Sequence, residues 1–233
     1  MERRTFLGTC AAVSGAIGIH AWPAAAQGTP RRYPRARLVD AAGAPLHVRT
    51  LARETNYVFH FPFAATPCFL LDLGRPVKAA ATLTREDGTP YAWQGGVGPA
   101  GSIVAFSAIC AHKLAYPTPD VSFIRYQRQP SAKSVGQAIH CCAEHSVYDP
   151  ASGARVVSGP APQPLAAIVL EYDAAKDELA AIGTVGAEQF DAFFRKYEFK
   201  LALEYGPGKA NRPVGATTVV KELDRYCRQT IQC

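Results

Sequence analysis

The chain has 233 residues, of which 48% are hydrophobic, 19% are charged and 10% are aromatic. This length and composition predict one globular domain with its own core, or one domain plus an extension. The formal net charge of +6 is typical of a moderately basic, well-solvated surface. Nucleic-acid binding is not expected, because no known reader motif and no alternation of basic and aromatic residues is present.

The amino terminus reads as an export signal. Arg3 and Arg4 open a twin-arginine pattern, and a weakly apolar stretch then leads to small residues ending at Ala26. We therefore predict a signal peptide over residues 1–26 and a mature protein in the periplasm. The alternative is an uncleaved membrane anchor. The 18 residues from Thr5 to Trp22 fall short of the roughly 20 apolar residues that a spanning helix needs.

Short runs of β-branched and aromatic residues dominate the chain up to about Gly186, and turns rich in Gly, Pro and Asp separate them. Runs of this kind predict strands. The fold class expected from them is mainly β. The clearest predicted strands are 57–63, 69–73, 103–109, 121–126, 165–172 and 178–182.

Two short sequence motifs, which we call the ligand words, each combine one cysteine with one histidine. The first is Cys110-Ala111-His112, and the second is Cys142-Ala143-Glu144-His145, after a gap of 29 residues. Thiolate sulfur and imidazole nitrogen are both metal ligands. Structural zinc sites of the finger type pair like ligands within a word. Mixed words therefore favour another kind of metal centre.

Mixed words of this kind resemble those of Rieske proteins, which hold a [2Fe–2S] cluster with two Cys on one iron and two His on the other. Residues 142–165 add a Tyr-Asp pair and a Gly-Pro stretch similar to the loop that covers the cluster in that family. The resemblance spans about residues 102–182. It implies one [2Fe–2S] cluster per chain and a Rieske-type antiparallel β-sandwich with an inserted cluster-binding subdomain. The implied ligands are Cys110, His112, Cys142 and His145, and the implied neighbours of the cluster are Ser146, Tyr148, Gly159 and Pro160.

Three departures from the family pattern are visible. The gap between the words is longer than usual, and its surplus predicts an extra hairpin with a strand at 121–126. Quinol-oxidising members tie the two cluster loops with a disulfide, which is absent here because its positions hold Ala115 and Glu144. The family order His-x-Ser-x-Tyr/Phe-Asp is one residue shorter here, with Ser146 and Tyr148 following His145 too closely.

The adjacent pair Cys141 and Cys142 offers two candidate ligands. The spacing to His145 favours Cys142, and Cys141 would then point away from the iron or form a disulfide elsewhere. Four cysteines outside the signal peptide and the ligand set allow three pairings, which the sequence does not decide. A reduced buried thiol is an equal alternative for one of them, Cys68. The four are Cys68, Cys141, Cys227 and Cys233.

The last part of the chain is expected to be helical. Aromatic and aliphatic residues recur at helical spacing over residues 187–205, a Gly-Pro-Gly stop follows at 206–208, and a second helix is predicted near 218–229. Packing of these helices against the sandwich is the expectation, with a partner-binding tail as the alternative. The predicted organisation is therefore a signal peptide at 1–26, a Rieske domain at 27–185 and a helical extension at 186–233.

The resemblance implies one-electron transfer in the periplasm, between an oxidoreductase and an acceptor such as a c-type cytochrome. A basic surface suits an acidic redox partner, a cytochrome or a periplasmic dehydrogenase, and membrane contact is expected only if the signal stays uncleaved. The alternative is a Rieske small subunit of a respiratory or molybdenum oxidoreductase complex, so carrier and enzyme subunit both remain open. A Rieske oxygenase is not expected, because its mononuclear iron needs downstream histidines and none follows His145.

Overall fold

A computed structural model describes residues 28–77, 81–133 and 135–233. The predicted signal peptide at residues 1–26 lies outside the described residues. The described part of the chain is mainly β, with one long helix near the carboxyl end, as predicted. In those same ranges, no helix combines the length and the apolar character needed to cross a membrane.

Sixteen strands and two helices make up the regular structure of the described residues. The strands are β1 Arg31–Val39, β2 Tyr57–His60, β3 Pro67–Asp72, β4 Ala81–Thr84, β5 Pro90–Trp93, β6 Ile103–Ser107, β7 Val121–Ser122, β8 Ile124–Gln127, β9 Ala138–Cys141, β10 Ser146–Asp149, β11 Arg155–Ser158, β12 Ala167–Asp173, β13 Glu178–Val185, β14 Thr217–Val219, β15 Lys221–Glu222 and β16 Gln229–Thr230. The helices are α1 Phe190–Tyr205 and α2 Leu223–Tyr226, with 3-10 turns at Val48–Thr50 and Pro150–Ser152.

The main sheet has eight strands in the order β14-β1-β13-β12-β6-β3-β2-β15. Its two outermost strands, β14 and β15, belong to one short segment at residues 217–222. The Val220 N–H between them donates to the Val39 carbonyl at 2.8 Å. One segment thus pairs with both edges of the sheet, along residues 37–39 of β1 and 57–58 of β2.

A second sheet of four strands, in the order β11-β10-β9-β8, carries the region of the two ligand words. In sequence it lies between β6 and β12, which are paired neighbours in the main sheet. It is therefore an insertion, as predicted. The predicted strand at 121–126 is split into β7, which pairs with β16, and β8, which pairs with β9.

The central strands β3 and β6 of the main sheet are buried on both faces, which explains why they read as continuous apolar runs. Along β3, Phe69 faces the core shared with the inserted sheet. Its neighbour Leu70 faces the second core, enclosed by the main sheet. The shared core also contains Tyr126 and Tyr148, so the inserted sheet is anchored by large, fully buried rings.

Helix α1 packs on the segment that carries the first ligand word. Its fully buried Phe193 makes an edge contact with Tyr116 at a centroid distance of 4.9 Å. The helix ends at Tyr205, and Gly206 follows with a φ of 87°, a conformation that favours glycine. The predicted helix at 187–205 is confirmed, with a start three residues later, and so is its packing against the domain.

The predicted second helix at 218–229 is wrong for most of its length. Only Leu223–Tyr226 is helical, while residues 217–222 form the two edge strands. The β-branched pair Val219 and Val220 suits a strand. Hydrogen bonds to the open edges of the main sheet outweigh the weak helical periodicity that the side chains show.

Phe193→Ala should lower the free energy of unfolding by about 3–5 kcal/mol, because it removes a fully buried ring from the cluster between α1 and the first loop. Phe199→Ala is the matched control, since Phe199 lies on the same helix with 79% of its surface exposed; it should change stability by no more than about 0.5 kcal/mol. Denaturant unfolding measures both. Equal effects would mean that α1 does not pack as described.

Candidate metal centre

Two loops meet beside the inserted sheet. The first follows β6 and is closed by a hydrogen bond of 2.8 Å from the Cys110 N–H to the Ala115 carbonyl. The second is the turn at residues 142–145 between β9 and β10, and Cys141 and Ser146 form the strand pair at its base. Cys110 and Cys141 are both buried.

The side chains of Cys110 and Cys141 are hydrogen-bonded to each other. The Tyr148 hydroxyl lies 3.3 Å from the same sulfur. That hydroxyl already accepts the Ala111 N–H at 3.1 Å, so its own hydrogen is free to point at Cys110. The two sulfurs therefore sit side by side in a buried pocket that supplies a hydroxyl donor.

Backbone N–H groups also point at both sulfurs. Those of His112 and Lys113 are directed at Cys110, and those of Ala143 and Glu144 are directed at Cys141. The hydrogen bond with Cys141 is the largest cause that lowers the pKa of Cys110. The same hydrogen bond, followed by burial, raises the pKa of Cys141. The pocket thus stabilises a thiolate, which is the form of cysteine that binds metal.

The structure contradicts the prediction that Cys142 is the ligand. Cys142 forms a disulfide with Cys233, 91 residues later in the chain, and a sulfur in a disulfide is not a thiolate. Cys141, which was expected to point away, faces Cys110 instead. The reason is strand alternation along β9, which sends Cys141 into the core and Cys142 to the opposite side.

The two remaining cysteines of the described residues form no disulfide. Cys68 and Cys227 are free and buried. For Cys68 the reduced thiol is therefore the alternative that the structure supports. Its thiol donates to the Phe61 carbonyl at 3.1 Å, and burial raises its pKa.

His112 and Glu144 project from the two loops toward each other. A Glu144 carboxylate oxygen, Oε2, lies 3.9 Å from Nδ1 of His112. That nitrogen is buried and has no hydrogen-bond partner within the described ranges. The other oxygen, Oε1, accepts from Lys113 Nζ at 2.8 Å, and this interaction is the main cause that lowers the pKa of Glu144.

His145 faces away from Cys110 and His112. Its Nε2 lies 3.4 Å from Lys133 Nζ, and its ring stands 5.8 Å from the ring of His140. The four predicted ligands are therefore divided between two places. Cys110 and His112 belong to the buried cysteine pocket, whereas Cys142 and His145 belong to a second group on the other side of the turn.

The second group is a cluster of metal-ligating atoms in its own right. One ring nitrogen of His140, one of His145 and the Cys233 sulfur lie within 4.8 Å of one another. Imidazole nitrogen and cysteine sulfur are both metal ligands, although this sulfur is held in the disulfide with Cys142. His140 was not predicted as a ligand, although the short spacing of His140, Cys142 and His145 around one turn was a usable signal.

The predicted neighbours of the cluster surround the second loop. The Ser146 hydroxyl oxygen is buried and has no hydrogen-bond partner among residues 28–77, 81–133 and 135–233. Gly159 has a φ of +88°, and a Cβ placed there would come within 2.3 Å of the His145 carbonyl oxygen. Gly159 therefore lets its loop lie directly against the turn, with the exposed Pro160 next to it.

The carboxyl-terminal part of the chain braces both loops. From α1 and its N-cap, Gln189 Nε2 donates to the Ala111 carbonyl at 3.1 Å, and the Lys196 ammonium donates to the Lys113 carbonyl. The last residues hold the other loop, because Cys233 is bonded to Cys142.

No protein-family model matches the chain. Among solved structures, the chain is similar to the soluble domain of the Rieske protein II (soxF) from Sulfolobus acidocaldarius, with 29% identity over 67% of this chain and 84% of that chain. The TM-score is 0.45, which is too low to carry an argument about function. The function proposed below therefore rests on the residues of this chain.

Peptide mapping of the non-reduced protein should recover a disulfide between Cys233 and the peptide that contains Cys141 and Cys142. The link should persist in Cys141→Ser and disappear in Cys142→Ser, because only Cys142 lies beside the carboxyl terminus. The Cys141→Ser variant is the matched control, one residue away. A link that survives in Cys142→Ser would show that the two cysteines have exchanged roles.

Proposed function

We propose that this chain is a Rieske-type iron–sulfur protein that transfers single electrons through a [2Fe–2S] cluster. The observation that carries the proposal is the buried Cys110–Cys141 pair, with its Tyr148 donor and its converging backbone N–H groups. Two thiolates on one iron are the cysteine half of a Rieske centre. On this proposal Cys110 and Cys141 hold the first iron, and His112 and Glu144 hold the second.

The pocket fits such a group in its polar atoms as well. Nδ1 of His112 and the hydroxyl oxygen of Ser146 are buried, and neither has a partner among the described residues. Buried polar atoms of folded proteins are normally hydrogen-bonded or bound to a ligand. An iron ligated by His112 and a cluster sulfur next to Ser146 would satisfy both atoms.

Assigning Cys141 as the ligand removes one departure from the family pattern. Counted from Cys141, the Cys-x-x spacing reaches Glu144 instead of His145. Ser146 and Tyr148 then lie two and four residues after Glu144, as Ser and Tyr do after the histidine in the family order His-x-Ser-x-Tyr. Counted from His145, the spacing to Ser146 and Tyr148 is one residue too short. It is normal when counted from Glu144, so the Glu144 carboxylate would take the place of the second histidine ligand.

A carboxylate ligand changes the electronic character of the centre. The bound cluster supplies one-electron chemistry, and its potential depends on net charge, on hydrogen bonds to sulfur and on exposure. Two-histidine centres lie at roughly −150 to +300 mV, against about −400 mV for plant-type centres. An anionic oxygen from Glu144 stabilises the ferric state, so the midpoint of this protein should lie below that of an otherwise identical two-histidine centre.

Cys141→Ser and Glu144→Ala should each lose most of the iron and acid-labile sulfide, because each removes a proposed ligand. Cys142→Ser and His145→Ala are the matched controls, each adjacent to a ligand, and should keep both. Glu144→His should keep the cluster and raise its midpoint potential. Iron analysis and a redox titration measure these outcomes. Retention of iron in Cys141→Ser, with its loss in Cys142→Ser, would overturn the ligand assignment.

On the same proposal the mature protein works in the periplasm after twin-arginine export. Arg3 and Arg4 support this compartment, as does a cofactor that needs insertion before transport. The partner is an acidic redox protein, a c-type cytochrome or a periplasmic dehydrogenase. The positive charge of the mature protein would attract it: without residues 1–26, which hold two arginines and one glutamate, the net charge is 23 − 18 = +5.

The basic residues near the two loops are not equally free to attract a partner. Lys113 is paired with Glu144, and Arg128 is paired with Glu54, each at 2.8 Å. Their charge is largely offset at close range. Lys133, beside His145, contributes more to the positive field at this end of the protein.

The rate of electron transfer to an acidic cytochrome should fall steeply with added salt, because the Debye length shrinks from about 10 Å at 0.1 M to about 3 Å at 1 M. Lys133→Glu should lower the rate more than Lys221→Glu, which lies away from the loops on β15. Stopped-flow kinetics at several salt concentrations measure this. A rate that does not respond to salt would contradict a diffusing carrier.

A small subunit of a respiratory or molybdenum oxidoreductase complex is the second candidate. Helix α1 favours it with two exposed apolar residues on its outer side, Phe199 at 79% and Leu203 at 72% exposure. An apolar patch of this kind suits a permanent interface. A subunit would co-purify with its complex in fixed stoichiometry, whereas a carrier would be isolated alone.

A further inference from the structure

The side of the β9 turn that points away from the cysteine pair carries its own set of ligating atoms. Nitrogens of His140 and His145 lie within 4.8 Å of the Cys233 sulfur and of each other. The disulfide adds the sulfur of Cys142 to the same place. None of these residues belongs to the ligand set proposed for the iron centre.

His140 is the residue that points to a ligand. It is fully buried, and neither ring nitrogen has a hydrogen-bond partner in the part of the chain that the structure describes. Buried polar groups of folded proteins normally have a hydrogen-bond partner or a bound ligand, and an imidazole nitrogen is a common metal ligand.

We propose that reduction of the disulfide between Cys142 and Cys233 opens a second metal site, for a zinc ion. Two thiolates and two imidazoles are the donor set of a closed structural zinc site, with four protein ligands and no open position. Three of them come from the end of β9 and the turn that follows it, and the fourth is Cys233. The four ligands are His140, Cys142, His145 and Cys233.

The redox and proton balance of the conversion is simple. A dithiol reductant donates two electrons and two protons to the disulfide and becomes a disulfide itself, which leaves Cys142 and Cys233 as thiols. Each thiol then loses one proton as its sulfur binds Zn²⁺. The two thiolate charges neutralise the ion, and no further group is required.

The geometry needs only local movement. Zinc bonds of about 2.0–2.3 Å place the ligand atoms of a tetrahedral site about 3.3–3.8 Å apart. The two imidazole nitrogens and the Cys233 sulfur, now within 4.8 Å of one another, must therefore move closer by about 1 Å. The two sulfurs, which are bonded to each other in the disulfide, must separate. Gln127 supports the sulfurs, since its Nε2 donates to Cys233 at 3.4 Å and to Cys142 at 3.8 Å. The positive charge of Lys133 would repel the zinc ion, because its Nζ lies 3.4 Å from Nε2 of His145.

The site would give the carboxyl terminus two alternative anchors. Under oxidising conditions the disulfide holds Cys233 to the second loop. Under reducing conditions a zinc ion with the same two sulfurs and the two imidazoles would hold it there. The second loop, which also carries Cys141, would therefore stay braced in both states.

The test uses the purified protein as isolated, before and after anaerobic reduction with a phosphine that is then removed by gel filtration. Zinc is added, excess zinc is removed, and iron and zinc per chain are measured in the same samples. Cobalt is added in a parallel series, because its absorption bands report thiolate ligation. Cys233→Ser and His140→Gln remove proposed ligands. Cys227→Ser is the control, since Cys227 is a free buried cysteine outside the group.

We expect one zinc per chain in addition to any iron, and only after reduction. Cys233→Ser should abolish this binding, His140→Gln should weaken it at least about tenfold, and Cys227→Ser should leave it unchanged. Zinc bound equally by the oxidised protein, or retained in Cys233→Ser, would overturn the proposal. So would the absence of zinc from the reduced protein. The iron content of Cys233→Ser should match that of the wild type, which separates this site from the iron centre.

Discussion

The hydrogen bond between the Cys110 and Cys141 sulfurs is the contact on which the site depends, because it requires two distant loops to meet in one buried pocket. Neither loop is regular structure, and each has contacts with the carboxyl-terminal part of the chain. The first is supported by Gln189 and Lys196 of the helical region. The second is tied to the last residue of the chain, Cys233. The carboxyl-terminal extension is thus a scaffold for both loops.

This bracing explains how the protein manages without a disulfide between the loops themselves. The extension first closes the main sheet with residues 217–222. It then pairs β16 with β7 at the start of the inserted sheet. The disulfide between Cys142 and Cys233 joins residues 91 positions apart, so it restricts the unfolded chain and holds the second loop in the folded one. The carboxyl-terminal extension, which was predicted to pack against the sandwich, therefore also acts on the geometry of the site.

Much of this was predictable from the sequence. Short runs of β-branched and aromatic residues located the main strands, and the aromatic spacing at 187–205 located α1. The mixed Cys/His words located both loops. The choice between Cys141 and Cys142 was not predictable, because it depends on which face of β9 turns toward the core, and a shift of one residue reverses that face. The partner of Cys233 lies 91 residues away, and local spacing carries no information about it.

The central claim is that one imidazole and one carboxylate hold the second iron, where two imidazoles hold it in a Rieske centre of the usual kind. Pulsed electron paramagnetic resonance of the reduced protein counts the nitrogens bound to the cluster. We predict strong coupling to a single nitrogen, Nδ1 of His112, and coupling to two nitrogens in Glu144→His. Two coordinated nitrogens in the wild-type protein would contradict it, and would return His145 to the ligand set.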